Sequence, residues 1–126
     1  MDAERFAERI HHGTDCDVEV IEFEDKEALR AAVEDSAILV NATPVGMKED
    51  VSPVDRDILR SDLLVSDIIY HPPMTRLLKD AEAVGAKYIN GYYMLMFQGA
   101  AAFKLWTGKD MPVGVIRREC FPKIGD

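Results

Sequence analysis

The chain has 126 residues, of which 48% are hydrophobic and 30% charged, a composition typical of one globular domain. Its formal net charge of -8 argues against nucleic acid and membrane surfaces as partners, because both are recognised through their negative charge. The two cysteines, Cys16 and Cys120, lie far apart and no histidines cluster around them, so neither a disulfide scaffold nor a metal site is indicated. The first residues are charged rather than signal-like and no apolar run is long enough to span a bilayer, so we expect a cytoplasmic protein.

The spacing of apolar residues predicts helix, strand and helix in the first part of the chain. Phe6 and Ile10 lie four residues apart, which predicts a short amphipathic helix over residues 2–10. Residues 17–23, DVEVIEF, alternate in the way that a strand does. Residues 25–35, DKEALRAAVED, again have helical spacing with charges on the outer face.

Two short apolar runs rich in branched residues follow, AILVNAT at 37–43 and LLVSDIIY at 63–70. Both predict strands that are buried on two faces, as the strands of a parallel sheet are. PMTRLLKDAEAVG, residues 73–85, predicts a helix that stops at Gly85. A brief strand is expected over residues 86–90, AKYIN.

The run GYYMLMFQGAAAF, residues 91–103, predicts a long helix, and a last helix is expected from about Pro112. Strands separated by helices imply right-handed crossovers between parallel strands. The predicted fold class is therefore α/β, a doubly wound parallel sheet with helices on both faces; the family resemblance given below implies that it is a partial Rossmann-like sheet. No repeat or flexible linker suggests a second domain within residues 1–126.

Polar residues and glycines follow each of the last three strands. Ligands bind beyond the carboxyl ends of strands in an open parallel sheet, so these positions are the candidate site and should share one rim. They are Asn41, Thr43 and Gly46 in NATPVGM, Tyr70 and His71 in DIIYHPPMT, and Asn90 and Gly91 in NGYYMLMFQG.

Each cluster also has a simpler interpretation, which the residues alone leave open. Asn-Ala-Thr-Pro can be a loop that caps its own backbone. Tyr70 can pack with its hydroxyl in water, and His71 has no acid or thiol near it in sequence, which favours a solvated histidine. The apolar residues after Gly91 are typical of a core helix, and Gln98 can bridge backbone groups.

Taken together, NATPVGM, DIIYHPPMTRLLKDAEAVGAK and GYYMLMFQGAAAFKLWTGKDMP resemble the NAD(P)-binding, C-terminal part of the shikimate and quinate dehydrogenases over about residues 36–118. The resemblance implies reversible hydride transfer between the nicotinamide C4 of NAD or NADP and the 3-position of a shikimate-type acid, in the chorismate and aromatic amino acid pathway or the quinate pathway. VGMK and QGAAAFKLWTGKDMP are most similar to the branch that uses quinate as well as shikimate.

The resemblance also implies residue roles on the cofactor side. Asn41 and Thr43 would lie against the dinucleotide. The backbone of Ile68 and that of Gly91 would meet the nicotinamide amide, and Met94 would pack near the nicotinamide ring.

On the substrate side, Tyr70 and Gln98 match the family positions that face the acid, and Gln98 would bond a ring hydroxyl. No part of the sequence matches the family's substrate domain with its catalytic lysine and aspartate, so no catalytic residue is assigned to this chain. The family's phosphate loop, Gly-x-Gly-Gly-x-Ala, is not matched either. The chain is therefore expected to start inside the dinucleotide-binding domain, to be inactive alone and to bind dinucleotide weakly.

Two classes of function stay open. The first is part of an oxidoreductase, and the second is a non-catalytic remnant or binding module that keeps half the fold. Half a Rossmann sheet would leave the edge of a strand such as AILVN unpaired, which is a site for pairing with another chain. We therefore expect the chain to self-associate as a homo-oligomer.

Overall fold

The computed structural model describes residues 3–121, and the chain divides into two compact units, Met1–Asp35 and Ser36–Asp126. The first unit contains helices α1 (Ala3–Gly13) and α2 (Lys26–Asp35). Both helices predicted in this region are confirmed, although Asp2, where the first was expected to begin, lies outside the described residues.

The strand predicted over residues 17–23 is wrong. This segment has no ladder partner among the described residues, and a turn with a 3.0 Å bond from the Asp25 amide to the Glu22 carbonyl leads into α2. Val18 and Val20, which carry the alternation, are both exposed. Alternation shows which side chains share a face, but a strand also needs a neighbour that accepts and donates its ladder bonds.

The second unit is built on a parallel sheet with the strand order β1 (Ile38–Asn41), β2 (Leu64–Asp67) and β3 (Lys87–Ile89). These three predicted strands and the α/β, Rossmann-like fold class are confirmed. The register sets Asn41 directly opposite Asp67. The polar last residues of two neighbouring strands therefore lie side by side at the carboxyl edge of the sheet.

Helix α3 (Arg76–Ala83) connects β2 to β3 and packs against both strands. The Thr75 hydroxyl caps this helix by accepting from the Leu78 amide at 3.4 Å. Leu77, Leu78 and Ala81 are fully buried and form the core of this unit with residues of β2 and of the segments before and after it. A 3-10 helix, Arg56–Ile58, packs against α3 from the connection between β1 and β2.

One face of β1 departs from the expectation that both faces are buried. Ile38 and Val40 point to the same side of the strand and are each 55% exposed. Asn41 at the end of the strand is buried, and Leu39 is half-buried on the same face. The open face of β1 is therefore the one that carries Ile38 and Val40, and β3 at the other edge of the sheet is exposed at all three of its residues.

Helices α4 (Tyr92–Thr107) and α5 (Val113–Cys120) pack against each other and confirm the last two predicted helices. Although α4 is almost entirely apolar, its last turn is open to solvent, with Leu105 85% and Trp106 83% exposed. None of the helices within residues 3–121 combines the length and the apolar character needed to cross a bilayer.

Gly91 joins β3 to α4 at a point where two backbones come into close contact. A β-carbon on Gly91 would overlap the Ile68 carbonyl oxygen and lie 2.5 Å from the Ile68 carbonyl carbon. The Gly91 amide donates to the Ile69 carbonyl at 3.0 Å. Position 91 therefore requires glycine, because any side chain would collide with the protein's own main chain. The absence of a β-carbon allows α4 to begin against the segment that follows β2.

Replacing Gly91 with alanine is expected to destabilise the chain by about 3 kcal/mol, because the added methyl group collides with main chain that has no alternative rotamer. Urea unfolding followed by circular dichroism measures the change. Gly99→Ala is the matched control in the same helix, since a β-carbon there has no neighbour within 4 Å, and alanine should stabilise a helix by about 1 kcal/mol over glycine. Equal stability of the two variants would contradict the close approach at Gly91.

Candidate functional site

A cleft of about 620 Å³ opens at the carboxyl ends of the strands. Three segments line it, namely residues 42–48 after β1, residues 68–71 after β2, and Gly91 with the first two turns of α4. These are the segments that the sequence analysis singles out, and the parallel sheet brings them to one rim. The volume is in the range of small-molecule sites.

Six of the seven residues that were predicted to contact cofactor or substrate line this cleft. They are Thr43, Ile68, Tyr70, Gly91, Met94 and Gln98. Met94 and Gln98 lie one turn apart and are both exposed, so both side chains are available to a ligand. Their contacts with a cofactor and a substrate stay predictions.

Asn41, the seventh, is buried and does not line the cleft. Its side-chain amide donates to the Val45 carbonyl at 3.1 Å and to Asp67 at 3.2 Å, and its oxygen accepts from the Thr43 amide at 3.1 Å. The NATP loop thus does cap its own backbone. Gly46 in the same loop has a φ of 95°, a conformation that residues other than glycine rarely adopt. The path of the loop therefore requires glycine at position 46 in addition to the hydrogen bonds of Asn41.

Asp67 is absent from the sequence-based candidates, yet it is the buried polar centre beside the cleft. It is 1% exposed and accepts three hydrogen bonds, from Asn41, from the Ile69 amide at 3.0 Å and from the Thr75 hydroxyl at 2.7 Å. The signal in the sequence is a carboxylate within the mostly apolar run LLVSDIIY, since a buried charge needs partners.

Sequence reasoning also missed Lys48, which lines the cleft together with the neighbouring Met47. His71 reaches the rim and is exposed, which agrees with a solvated histidine. No carboxylate is among the described residues that line the cleft. Its ionisable lining groups are therefore a lysine, a histidine and Tyr70, a set that favours a neutral or anionic ligand over a cation.

Aromatic contacts connect Tyr70 to the end of α5. The Tyr70 and Tyr92 rings lie 6.4 Å apart between centroids, and the Tyr92 ring lies 4.9 Å from that of Phe121. Both distances are in the range of favourable aromatic pairs. Tyr70 itself is 46% exposed and lines the cleft, so the aromatic contact with Tyr92 leaves its side chain accessible there.

The loop after β1 is also fastened to α3 by surface charges. Lys79 Nζ lies 2.9 Å from Asp50 Oδ1, and an Arg76 guanidinium nitrogen lies 4.0 Å from Asp50 Oδ2. The hydrogen bond from Lys79 is the main reason that the pKa of the Asp50 carboxyl is below its usual value. Within residues 3–121, no three histidine, cysteine or acidic side chains are placed so that they could hold a metal ion.

Comparison with protein families identifies the relatives of these residues. The family model of the shikimate 5'-dehydrogenase C-terminal domain matches residues 91–121. The shikimate dehydrogenase (NADP+) of Listeria monocytogenes serotype 4b is 45% identical over 123 residues, which cover 94% of this chain and 42% of that protein. The quinate/shikimate dehydrogenase of Escherichia coli O139:H28 is 45% identical over 116 residues, covering 90% of this chain and 40% of the relative.

Solved structures of shikimate and quinate dehydrogenases also resemble this chain. Shikimate 5-dehydrogenase from Listeria monocytogenes, in complex with shikimate and NAD, superposes with a TM-score of 0.88 at 44% identity and covers 94% of this chain and 42% of that one. Quinate dehydrogenase from Corynebacterium glutamicum, in complex with NAD, superposes with a TM-score of 0.79 at 32% identity. The match covers 92% of this chain and 41% of that one. The chain thus spans about two fifths of the length of these relatives.

Proposed function

We propose that this chain, which belongs to the shikimate dehydrogenase family, supplies the nicotinamide-binding part of an NAD(P)-dependent shikimate or quinate dehydrogenase. Its residues would form the C-terminal portion of the dinucleotide-binding domain. The observation that carries the proposal is the cleft, because it brings together at one rim six of the seven residues that the family resemblance assigns to ligands. A bound NAD or NADP would exchange a hydride with the 3-position of a shikimate-type acid.

The cofactor side of the cleft offers main-chain oxygens and apolar side chains. The Gly91 amide is already bonded to the Ile69 carbonyl, so a nicotinamide amide would be met by main-chain carbonyls. These would be the Ile68 carbonyl and the second lone pair of the Gly91 carbonyl, which already accepts from the Leu95 amide at 3.0 Å. Met94 and Leu95 would pack against the flat ring. Thr43 would contact the dinucleotide, whereas buried Asn41 would act by holding the Thr43 loop.

The substrate side offers Tyr70 and Gln98. The Gln98 amide carries both donors and an acceptor, so it can pair with a ring hydroxyl in either direction. Lys48 adds a positive charge to the same cleft, which suits an acid or a phosphate as the group bound there. The names and complexes of the relatives include both NADP and NAD, and we propose either as the coenzyme.

The proposal is tested by grafting this chain in place of the matching part of the Listeria monocytogenes shikimate dehydrogenase. The chimera is expected to oxidise shikimate with NADP+. Gln98→Ala in the chimera should lower kcat/KM for shikimate about tenfold, because a substrate hydroxyl loses its partner. Lys104→Ala is the matched control, since Lys104 lies on the same helix outside the cleft and pairs with Asp110 at 2.8 Å.

A folded chimera without activity would contradict the proposed function. Unchanged kinetics for Gln98→Ala, with an active chimera, would remove only Gln98 from the substrate site. Loss of activity in Lys104→Ala as well would show that the effect comes from the helix rather than from the cleft.

A second candidate function, a self-associating module without catalysis, is favoured by one observation. Ile38 and Val40 are exposed on β1, and among the described residues only β2 pairs with that strand. An unpaired edge flanked by exposed apolar side chains favours addition of another strand. We propose that a second copy of this chain covers this edge, and a homo-oligomer of this kind is compatible with either function.

Sedimentation velocity on the 126-residue chain is expected to show a dimer or larger species. Val40→Lys should shift the chain towards monomer, because the charge would have to be buried in the interface. Val115→Lys, at an exposed position on α5, is the control and should leave the distribution unchanged. A stable wild-type monomer that unfolds cooperatively would contradict self-association.

A further inference from the structure

We propose that Asp67 is a positioning residue for the cleft, and that its carboxylate fixes the two loops that face the ligand. Residues 42–48 supply five lining residues and residues 68–71 supply four, so the two loops provide nine of the thirteen. Asp67 does not line the cleft and therefore acts through these loops. The inference rests on the proposed function only for the identity of the ligand, a nicotinamide dinucleotide.

Donors from three separate segments converge on this carboxylate. Asp67 Oδ1 accepts from the Asn41 side-chain amide and from the Ile69 main-chain amide, and Oδ2 accepts from the Thr75 hydroxyl. These donors belong to the end of β1, to the loop after β2 and to the N-cap of α3. Hydrogen bonds to a charged acceptor are about twice as strong as those between neutral groups, so the three segments are held in one arrangement.

The carboxylate also decides which way the Asn41 amide faces. A carboxylate only accepts, so the NH2 group of Asn41 must point to Asp67 and the Asn41 oxygen must point to Thr43. That oxygen accepts from the Thr43 hydroxyl at 2.7 Å, and the Thr43 oxygen accepts in turn from the Val45 amide at 3.2 Å. The course of the 42–48 loop therefore follows from the charge at residue 67.

The other loop depends on the same group. The bond from the Ile69 amide bends the chain directly after β2, and Tyr70 follows at the next position. The Thr75 hydroxyl fixes the far end of this segment because it bonds Asp67 and caps α3 at the same time. An asparagine at position 67 would keep the size of the side chain, but it would offer a donor where the network requires an acceptor.

The experiment compares ¹⁵N-labelled wild type with Asp67→Asn by NMR, first without ligand and then during titration with NADP+. In the variant, the amides of the two loops, residues 42–48 apart from Pro44 and residues 68–71, should shift or broaden, together with those at the ends of β1 and β2 and in the first turn of α3, which Thr75 caps. The amides of β3 and of the rest of α3 should keep their positions. The NADP+ concentration that gives half of the maximal shift should rise about tenfold. Asp62→Asn is the control, because Asp62 is an exposed carboxylate paired with Arg60 at 2.8 Å.

Unchanged loop amides together with unchanged NADP+ affinity would overturn the assignment, even if the variant is less stable. Should Asp67→Asn not fold, Thr75→Ser and Thr75→Val decide instead. Serine keeps the hydroxyl, so Thr75→Ser should preserve the position of the Thr43 amide resonance and the affinity for NADP+. Valine lacks the hydroxyl, so Thr75→Val should shift that resonance and weaken NADP+ binding. The assignment is overturned if the two variants have the same Thr43 resonance and the same affinity. A wild type that does not respond to NADP+ would contradict the proposed function, while the loop amides still test Asp67.

Discussion

The hydrogen bond between Asn41 and Asp67 is the constraint on which the cleft depends. The parallel register sets these two residues opposite each other at the ends of β1 and β2. Both are buried, and a buried polar group is tolerated only when it is bonded. Because each side chain also bonds the loop that follows its own strand, hydrogen bonds join the edge of the sheet to the two loops that line the cleft.

Close main-chain packing positions α4, the third segment that lines the cleft beside the loops after β1 and β2. Gly91 lets α4 begin against the Ile68 carbonyl, so the helix that carries Met94 and Gln98 is placed by a contact between backbones. Such a contact is stiff, because main chain cannot change rotamer to relieve a collision. The two side chains of α4 that line the cleft, Met94 and Gln98, are therefore set relative to the loops after β1 and β2. The proposed function needs such fixed placement, because a transfer between two bound molecules depends on their orientation.

The sequence allowed the strands of the second unit, its helices and most of the cleft to be predicted, because each strand end carries a local signal such as NATPVG or NG. It did not allow the path of residues 17–23 to be predicted. A strand forms only when a neighbouring strand pairs with it, and the alternation of apolar residues does not show whether such a neighbour is present. The inward orientation of the Asn41 side chain could not be predicted either, because its partner Asp67 is 26 residues away in sequence. Lys48 was missed because nothing in a lone lysine distinguishes a cleft from ordinary surface.

We propose that the cleft holds the nicotinamide end of the cofactor, and an intermolecular NOE experiment tests this placement most directly. The chain would be labelled with ¹³C at its methionine methyl groups and mixed with NADP+. NOEs are expected between the nicotinamide ring protons and the Met94 methyl group in the cleft, and none to Met111, which lies outside it. NOEs at Met111 with none at Met94, or NOEs at Met94 from the adenine protons alone, would contradict the claim.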